Sequence, residues 1–411
     1  MPEFLELLPP AEALALLLGH LAPGAPRAEE VETALSAGRV TAQAVASPER
    51  LPAFSRSTVD GYAVRARDTF GASESLPAYL SLAGEVPMGS APAFTVTAGQ
   101  AALIHTGGML PEGADAVVML EYTQPARPGE VEVLRAVAPG ENELRAGEDV
   151  ETGQQVIPAG RRLRPAEIGG LMALGRTRVS VVVPPRVGIL SSGDEVIEPG
   201  QAPRPGQVRD INSYTLSALV ERHGGCAVRY GIIPDRREAL RESMRAALEA
   251  CDMLVITAGS SASTRDLTAE IIDEMGRPGV LVHGVNVKPG KPTILAACGG
   301  KPVIGLPGNP VSALVIAGLF VTPVVERLLG LPAGGPRPAV TARLSVNLPS
   351  QAGREDWVPV RLIAGPQGWT AEPIFYKSNL IFTLAQADGM LHIPPDATGL
   401  ELGALAQVEF L

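Results

Sequence analysis

Residues 305–313 read GLPGNPVSA and follow directly on the apolar run KPVI, 301–304. Pro310 suits the first position of a helix, where its missing N–H costs no bond, and Asn309 is a favoured N-cap. Gly308 ahead of that cap would let a ligand approach the backbone closely. The N–H groups and positive dipole end of such a helix suit an oxyanion. One turn of this kind is equally an ordinary strand-to-helix connection, so the surrounding chain must decide. There, apolar strands alternate with helical stretches: PRVGIL (185–190), NSYTLSALVERHGG (212–225), RYGII (229–233), RREALRESMRAALEA (236–250), DMLVITAG (252–259) and DLTAEIIDEMG (266–276). The strands VLVHGVNV, TILAA and PVIGL and a helix from Pro310 to about Leu329 complete the series. The helix at 212 has Asn212 or Ser213 as its expected cap. This alternation predicts an α/β fold, a doubly wound and mostly parallel sheet covered on both faces. Ligands of such sheets bind beyond the carboxyl ends of the strands. The loops expected there are SSGDE (191–195), GSSASTRD (259–266), KPGKP (288–292) and LPGNPVS (306–312).

Outside that region the pattern changes. PAEALALLLGHL (10–21) and residues 27–37 read as helices, the second ending near Gly38. From about 45 to 160 short apolar pieces such as AVV (116–118), VEVL (131–134) and QQVIPAG (154–160) are cut by turns, a β-rich pattern. RPAEIGGLMALG (164–175) is a helix with Pro165 in its first turn and Gly175 as its stop. GGPRPAV (334–340) reads as a linker, and ARLSVNL, DWVPVRLI and LHIP as strands of a small β domain ending at Leu411.

A chain of 411 residues exceeds one comfortable core and predicts several domains. Its 45 Gly and 38 Pro make about a fifth of the chain, below the range of disorder and in keeping with many turns. Net charge −10 and 4% aromatic residues argue against nucleic acid or a membrane surface as the general partner. An anionic ligand would need a local cluster of cations. Cys226, Cys251 and Cys298 are odd in number and widely spaced, which suggests small core residues in a reducing compartment rather than a disulfide framework or zinc site. Glu3 and Glu6 stand where a signal peptide needs positive charge, and Ala13–Leu18 is too short to span a bilayer. The expected location is cytoplasmic.

VNVKPGKPT (285–293) fails the phosphate-loop template, because Val285 replaces the first glycine and Pro292 the hydroxyl residue after the lysine. Lys288 and Lys291, fixed by prolines, remain either as two solvated lysines or as a cation pair for an oxyanion such as phosphate or molybdate. Asp194 and Glu195, Asp210, and Asp266 each read alone as helix caps or solvated loop carboxylates. Three acidic loops at one sheet edge beside two lysines would suit Mg²⁺ accompanying a phosphate-bearing ligand. Ser191, Ser192, Ser260, Ser261 and Ser312 offer neutral donors, but no histidine partner marks any of them as a nucleophile. Asp60 and Thr106, each beside glycine, read as turn residues by default.

STVDGYAV (57–64), GEVPMGS (84–90), HTGGMLPEGADAVVMLE (105–121), LRAGED (144–149), SSGDEV (191–196), VRDINS (208–213), VKPGKP (287–292) and GLPGNPVSA, in this order, resemble the MoeA family of molybdopterin molybdenumtransferases, related to the gephyrin E domain. The resemblance runs from about Ala13 to the C-terminus. It implies an elongated homodimer with a linking domain (1–44 and 146–178), an inserted β-rich domain (45–145), the doubly wound molybdopterin-binding domain (179–330) and a C-terminal β domain (335–411). It implies transfer of molybdate to adenylylated molybdopterin, with Mg²⁺-dependent hydrolysis of the adenylate and release of AMP. The adenylyltransferase of the same pathway would be a partner. Carried over residue by residue, Asp60 and Thr106 face the cleft from one subunit; Glu195, Asp210 and Asp266 supply carboxylates and the metal ligands; Lys288 and Lys291 hold oxyanions. Ser192, Gly193, Asp194, Gly259, Ser261, Pro292, Gly308, Asn309 and Ser312 line the substrate, with Arg354 and Ser378 as molybdate contacts. The chain departs from the family at Ala258, Ser260 and Ser263, at Gly284 after His283, and at Pro359. Two alternatives stay open: an adenylyltransferase-like enzyme, and a non-catalytic cofactor sensor or scaffold.

Overall fold

The computed structural model of the chain describes residues 7–22, 26–258, 262–335, 337–375 and 377–411. Helix α1 (Pro10–Gly19) opens it with Pro10 at its first position and buries Ala13 and Leu17. The helix expected over 27–37 is instead strand β1 (Ala28–Glu32) followed by a 3₁₀ turn, Thr33–Leu35. Its cause is long-range: β1 pairs antiparallel with residues 178–182, placing Glu32 opposite Arg178 and Ala28 opposite Val182. Val31 thereby packs against the small core of Ile157, Leu163, Leu171, Val179 and Val181.

Six strands build the β-rich region: β2 (Gly61–Val64), β3 (Ala78–Glu85), β4 (Gln100–Ile104), β5 (Ala116–Met119), β6 (Thr123–Pro125) and β7 (Glu130–Val133). Their order is β5-β2-β4-β3-β7-β6, antiparallel except for the β3–β4 pair. The chain then returns through α2 (Pro165–Ala173), whose Glu167 accepts from the Arg164 N–H at 3.0 Å. Arg164 and Arg161 hold that carboxyl down to about 2. Strand β8 (Arg178–Val182) is the partner of β1.

The predicted β/α alternation follows: β9 (Arg186–Ser192), α3 (Asn212–Arg222), β10 (Cys226–Ile233), α4 (Arg237–Ala250), β11 (Met253–Ala258) and α5 (Ala262–Met275). Then come β12 (Pro278–His283), β13 (Val287–Lys288), β14 (Ile294–Cys298) and β15 (Lys301–Pro307). The sheet order is β10-β9-β11-β15-β14-β12, with the first four strands parallel and β14 and β12 antiparallel. Alternate residues face opposite ways along a strand. Val187, Ile189, Met253, Val255, Ile304 and Leu306 accordingly join one core with α1 and α3, whereas Leu190, Leu254, Ile256 and Val303 join a second with α4 and α5. VLVHGVNV, expected as one strand, is split, because β13 leaves the sheet and pairs with the C-terminal domain.

Helix α6 (Pro310–Ile316) runs through a π-helical turn, Ala317–Val321, into α7 (Thr322–Leu328). The 19 residues Pro310–Leu328 are apolar and long enough to cross a bilayer. Here Val311, Phe320, Val324 and Val325 are buried in the core beside the central sheet. Cys251 and Cys298 are core residues as expected, but Cys226, at the start of β10, is exposed. The C-terminal domain contains β16 (Ala339–Leu344), β17 (Glu355–Gly365), β18 (Gly368–Pro373), α8 (Ile381–Ala385), β19 (Gly389–Ile393) and β20 (Leu405–Phe410). The order β13-β17-β18-β16-β20-β19 closes through an additional β17–β19 pairing into a barrel.

Candidate active site

Strand register brings the unusual loops together. Ser192 lies opposite Ile233, Ser191 opposite Thr257, Ala258 opposite Pro307, and Gly305 opposite Ile294. The segments after β9, β10, β11 and β15, and the KPGKP loop entering β14, therefore share one edge of the sheet. That edge is where ligands of such sheets bind.

Asp210 is buried and its carboxylate is fully engaged. Oδ1 accepts from the Ser213 N–H at 3.1 Å, and Oδ2 from the Ser213 hydroxyl at 2.6 Å and the Ser191 hydroxyl at 2.9 Å. It thus accepts at the first turn of α3, the capping role the sequence allowed Asp210 alongside Asn212 and Ser213, and it ties α3 to β9. Asn212 turns instead to the neighbouring loop, where its Nδ2 donates to the Gly308 carbonyl at 2.8 Å. Ser192 Oγ donates to Asp235 Oδ1, and the Asp235 N–H donates to Asp194 Oδ1 at 3.3 Å. Gly193 has φ +149°, and a Cβ there would meet Glu195 Oε2 at 2.9 Å, so the turn that presents Asp194 and Glu195 requires glycine. Both carboxylates are exposed. Asp235 was not singled out by the sequence, although it follows β10 at the same edge and the strand-end rule applies to it equally.

Asp266 does not precede its helix. It lies exposed within α5, which begins at Ala262. Gly259 and Ser261 fall outside the described residues. Among the described residues no group of three or more His, Cys, Asp or Glu is placed to hold a metal ion. Glu195, Asp210 and Asp266 therefore do not form the expected three-carboxylate set, and both oxygens of Asp210 already accept protein hydrogen bonds. Mg²⁺ commonly takes one or two carboxylates together with substrate phosphates and water, and exposed Glu195 and Asp266 are the members of this set that would be free to hold it.

Lys288 and Lys291 are exposed on a stiff loop. The Lys291 carbonyl accepts from the N–H groups of Val285 and Thr293, each at 2.9 Å, and Thr293 Oγ donates to the Gly290 carbonyl at 2.7 Å. Gly290 has φ +118°, and a Cβ there would lie 2.3 Å from Ile316 Cγ1, so the loop sits directly on the long helix. Among the described residues neither ammonium is paired with a carboxylate within 4.0 Å. Pro292 is half-buried beside them.

The GLPGNPVSA turn departs in two ways from its sequence reading. Asn309 occupies the N-cap position without a side-chain cap hydrogen bond. The Val311 N–H at the first turn donates to the Ser378 carbonyl at 3.1 Å, so the C-terminal domain already holds one of the donors expected for an oxyanion. Ser312 is buried in that turn, while Gly308 is half-buried and Asn309 exposed. Arg354 is engaged too: its Nε and Nη2 bond both oxygens of buried Asp356, at 2.7 and 3.1 Å. Its planar fork is used within the protein rather than offered to an oxyanion.

At the ends of β2 and β4, Asp60 and Thr106 do come together. Asp60 Oδ1 accepts from the Thr106 N–H at 2.7 Å and from the Thr106 hydroxyl at 3.2 Å. The Asp60 carboxyl is held below its ordinary value, first by that backbone N–H; burial opposes it, and the hydroxyl and the neighbouring His105 lower it further by lesser amounts. His105 was not singled out by the sequence.

Family models match the chain in order: the MoeA N-terminal region (domain I and II) over residues 8–175, a "probable molybdopterin binding domain" over 188–327, and the MoeA C-terminal region (domain IV) over 341–411. A molybdopterin molybdenumtransferase of Nostoc sp. is 34% identical over 371 residues, covering 89% of this chain and 85% of its own. One from Haemophilus influenzae is 32% identical over 366 residues, covering 86% and 89%. The crystal structure of a molybdopterin biosynthesis MoeA protein from Pyrococcus horikoshii matches with TM-score 0.86 and 33% identity, over 99% of this chain and 100% of its own. A likeness that runs through all three regions at one-third identity, with the same architecture from end to end, places the chain in the MoeA family.

Proposed function

We propose that this chain is a molybdenum insertase, which transfers molybdate to adenylylated molybdopterin and releases AMP. The observation that carries the reading is the pair Lys288 and Lys291: two cations on a loop locked by Gly290 and Thr293, at the carboxyl edge of the sheet, in a chain of net charge −10. Cations carried on an ordered loop at such an edge can stabilise phosphate or molybdate oxygens as charge develops. Glu195 and Asp266 are exposed near the same edge, where they can orient water or substrate. Asp210 acts from behind, by fixing α3 against β9 and so the loops on either side. Asp60 and Thr106 would reach the cleft of a partner subunit in a homodimer. The relatives' names support the molybdopterin substrate; the adenylate, the dimer and the adenylyltransferase partner rest on the family resemblance, and a cytoplasmic location on the cysteine spacing and the acidic N-terminus. The Mg²⁺ dependence rests on the family resemblance as well, and no step above is routed through the ion.

The Asp266→Ala variant tests the carboxylate side of the reading. Asp266 is an exposed helix residue, so folding stability should change by no more than about 0.5 kcal/mol, while AMP release falls by about 100-fold, in the range of a general acid–base group. Unchanged AMP release would remove Asp266 from the mechanism.

A further inference from the structure

The motif GEVPMGS has no part in the site described above, yet its Glu85 ends β3 next to the turn that carries Thr106. Register places Glu85 opposite Leu103 and Gly61 opposite Ile104, so the residues just beyond these strand ends are neighbours. His105 stands between them. Its Nδ1 is 3.6 Å from Asp60 Oδ1 and its Nε2 is 3.4 Å from Glu85 Oε1. The two carboxylates bracket the ring, one near each nitrogen, at separations longer than a good hydrogen bond, so they bias its orientation electrostatically. Every described contact to the Asp60 carboxylate falls on Oδ1: the Thr106 N–H, the Thr106 hydroxyl and the His105 ring. No described hydrogen bond or ion pair falls on Oδ2.

We infer that His105 is a positioning residue for Asp60, anchored from behind by Glu85, so that the Thr106–His105 pair fixes Oδ1 and presents Oδ2 to the reaction. This rests on the reading that Asp60 serves molybdate insertion. The titratable groups that face the ring are Asp60 from the segment before β2 and Glu85 from β3. All three side chains are about half exposed, so the ring acts through orientation as well as charge.

The test uses the full-length protein labelled with ¹³C at aspartate Cγ, the Asp60 signal being the one lost in Asp60→Asn. A donor or cation beside a carboxylate favours its ionised form. His105→Leu should therefore move the Asp60 titration midpoint upward, and His105→Asn, which keeps a donor near the Nδ1 position, should restore part of the shift. Glu85→Gln should move it in the same direction by less than His105→Leu. In the AMP-release assay His105→Leu should lower kcat about tenfold with KM within about twofold, the pattern of a misplaced group rather than lost binding. An Asp60 midpoint identical in wild type and His105→Leu would overturn the inference, as would unchanged kcat. If the wild-type protein releases no AMP, the insertase reading fails, and the midpoint comparison still decides the role of His105.

Discussion

Replacing Lys288 and Lys291 together with alanine is expected to lower AMP release by about 100- to 1,000-fold, the loss typical of removing preorganised donors from a developing oxyanion. Folding stability should stay within about 0.5 kcal/mol, because both side chains are exposed and neither is paired with a described carboxylate. The backbone that holds the loop is independent of the ammonium groups: the Lys291 carbonyl, the Gly290 carbonyl and the contact of Gly290 with Ile316 all survive the change. Arginine at the same positions keeps charge but spreads it over a plane, and should restore substrate binding more fully than turnover. The check is steady-state AMP release beside thermal melts of the same preparations. Full activity in the double alanine variant would mean that the two lysines are solvated surface charges.

The second large effect concerns Arg354, which the family resemblance implies as a molybdate contact and which the structure pairs with Asp356. Arg354→Ala should destabilise the C-terminal barrel by about 3 kcal/mol, because it leaves Asp356 buried without its bidentate partner. The two tryptophans of the chain, Trp357 and Trp369, both lie in this barrel, so urea unfolding followed by tryptophan fluorescence reports it selectively. The paired change Arg354→Met with Asp356→Leu should recover much of the loss, since apolar replacement of a whole buried pair is often neutral. If Arg354→Ala unfolds at the wild-type urea concentration but loses molybdate affinity, Arg354 is an oxyanion ligand after all.

The alternation of strands and helices over 179–330 was legible because each element carries its own period and its own caps, and the strand ends then place the loops without further information. Residues 27–37 were misread because AEEVETALSAG is rich in helix formers, whereas the pairing that makes Ala28–Glu32 a strand comes from residues 178–182, far along the chain. The departure of Val287–Lys288 to the barrel is invisible locally for the same reason: its partner is Glu355–Asp356. Asp266 was placed one turn too early because the start of α5 lies in a segment of small polar residues with no apolar period. Asp210 was found as a helix-capping carboxylate, but its burial against Ser191 depends on where α3 docks.

Two further contacts leave a local trace in the sequence. In REDW, Arg354 and Asp356 are two apart at the start of a strand and so share a face, which is the geometry of the observed ion pair. In HTGG, His105 precedes Thr106, and only the neighbouring ends of β2 and β3 show that Asp60 and Glu85 flank it. The Ser378 carbonyl on the Val311 N–H belongs to the same class. A helix N-terminus can be read from GNPVS, but what fills it comes from a different domain.

Molybdenum insertion is tested by anaerobic incubation of the purified full-length protein with adenylylated molybdopterin, Mg²⁺ and either molybdate or tungstate, following AMP release and metal retained on the pterin. An insertase gives AMP release that depends on the oxyanion and a metallated pterin product, with both lost in the Lys288→Ala, Lys291→Ala variant. Tight binding of the adenylylated pterin without AMP release or metallation would contradict insertion and would identify the chain as a cofactor-binding protein that retains the fold.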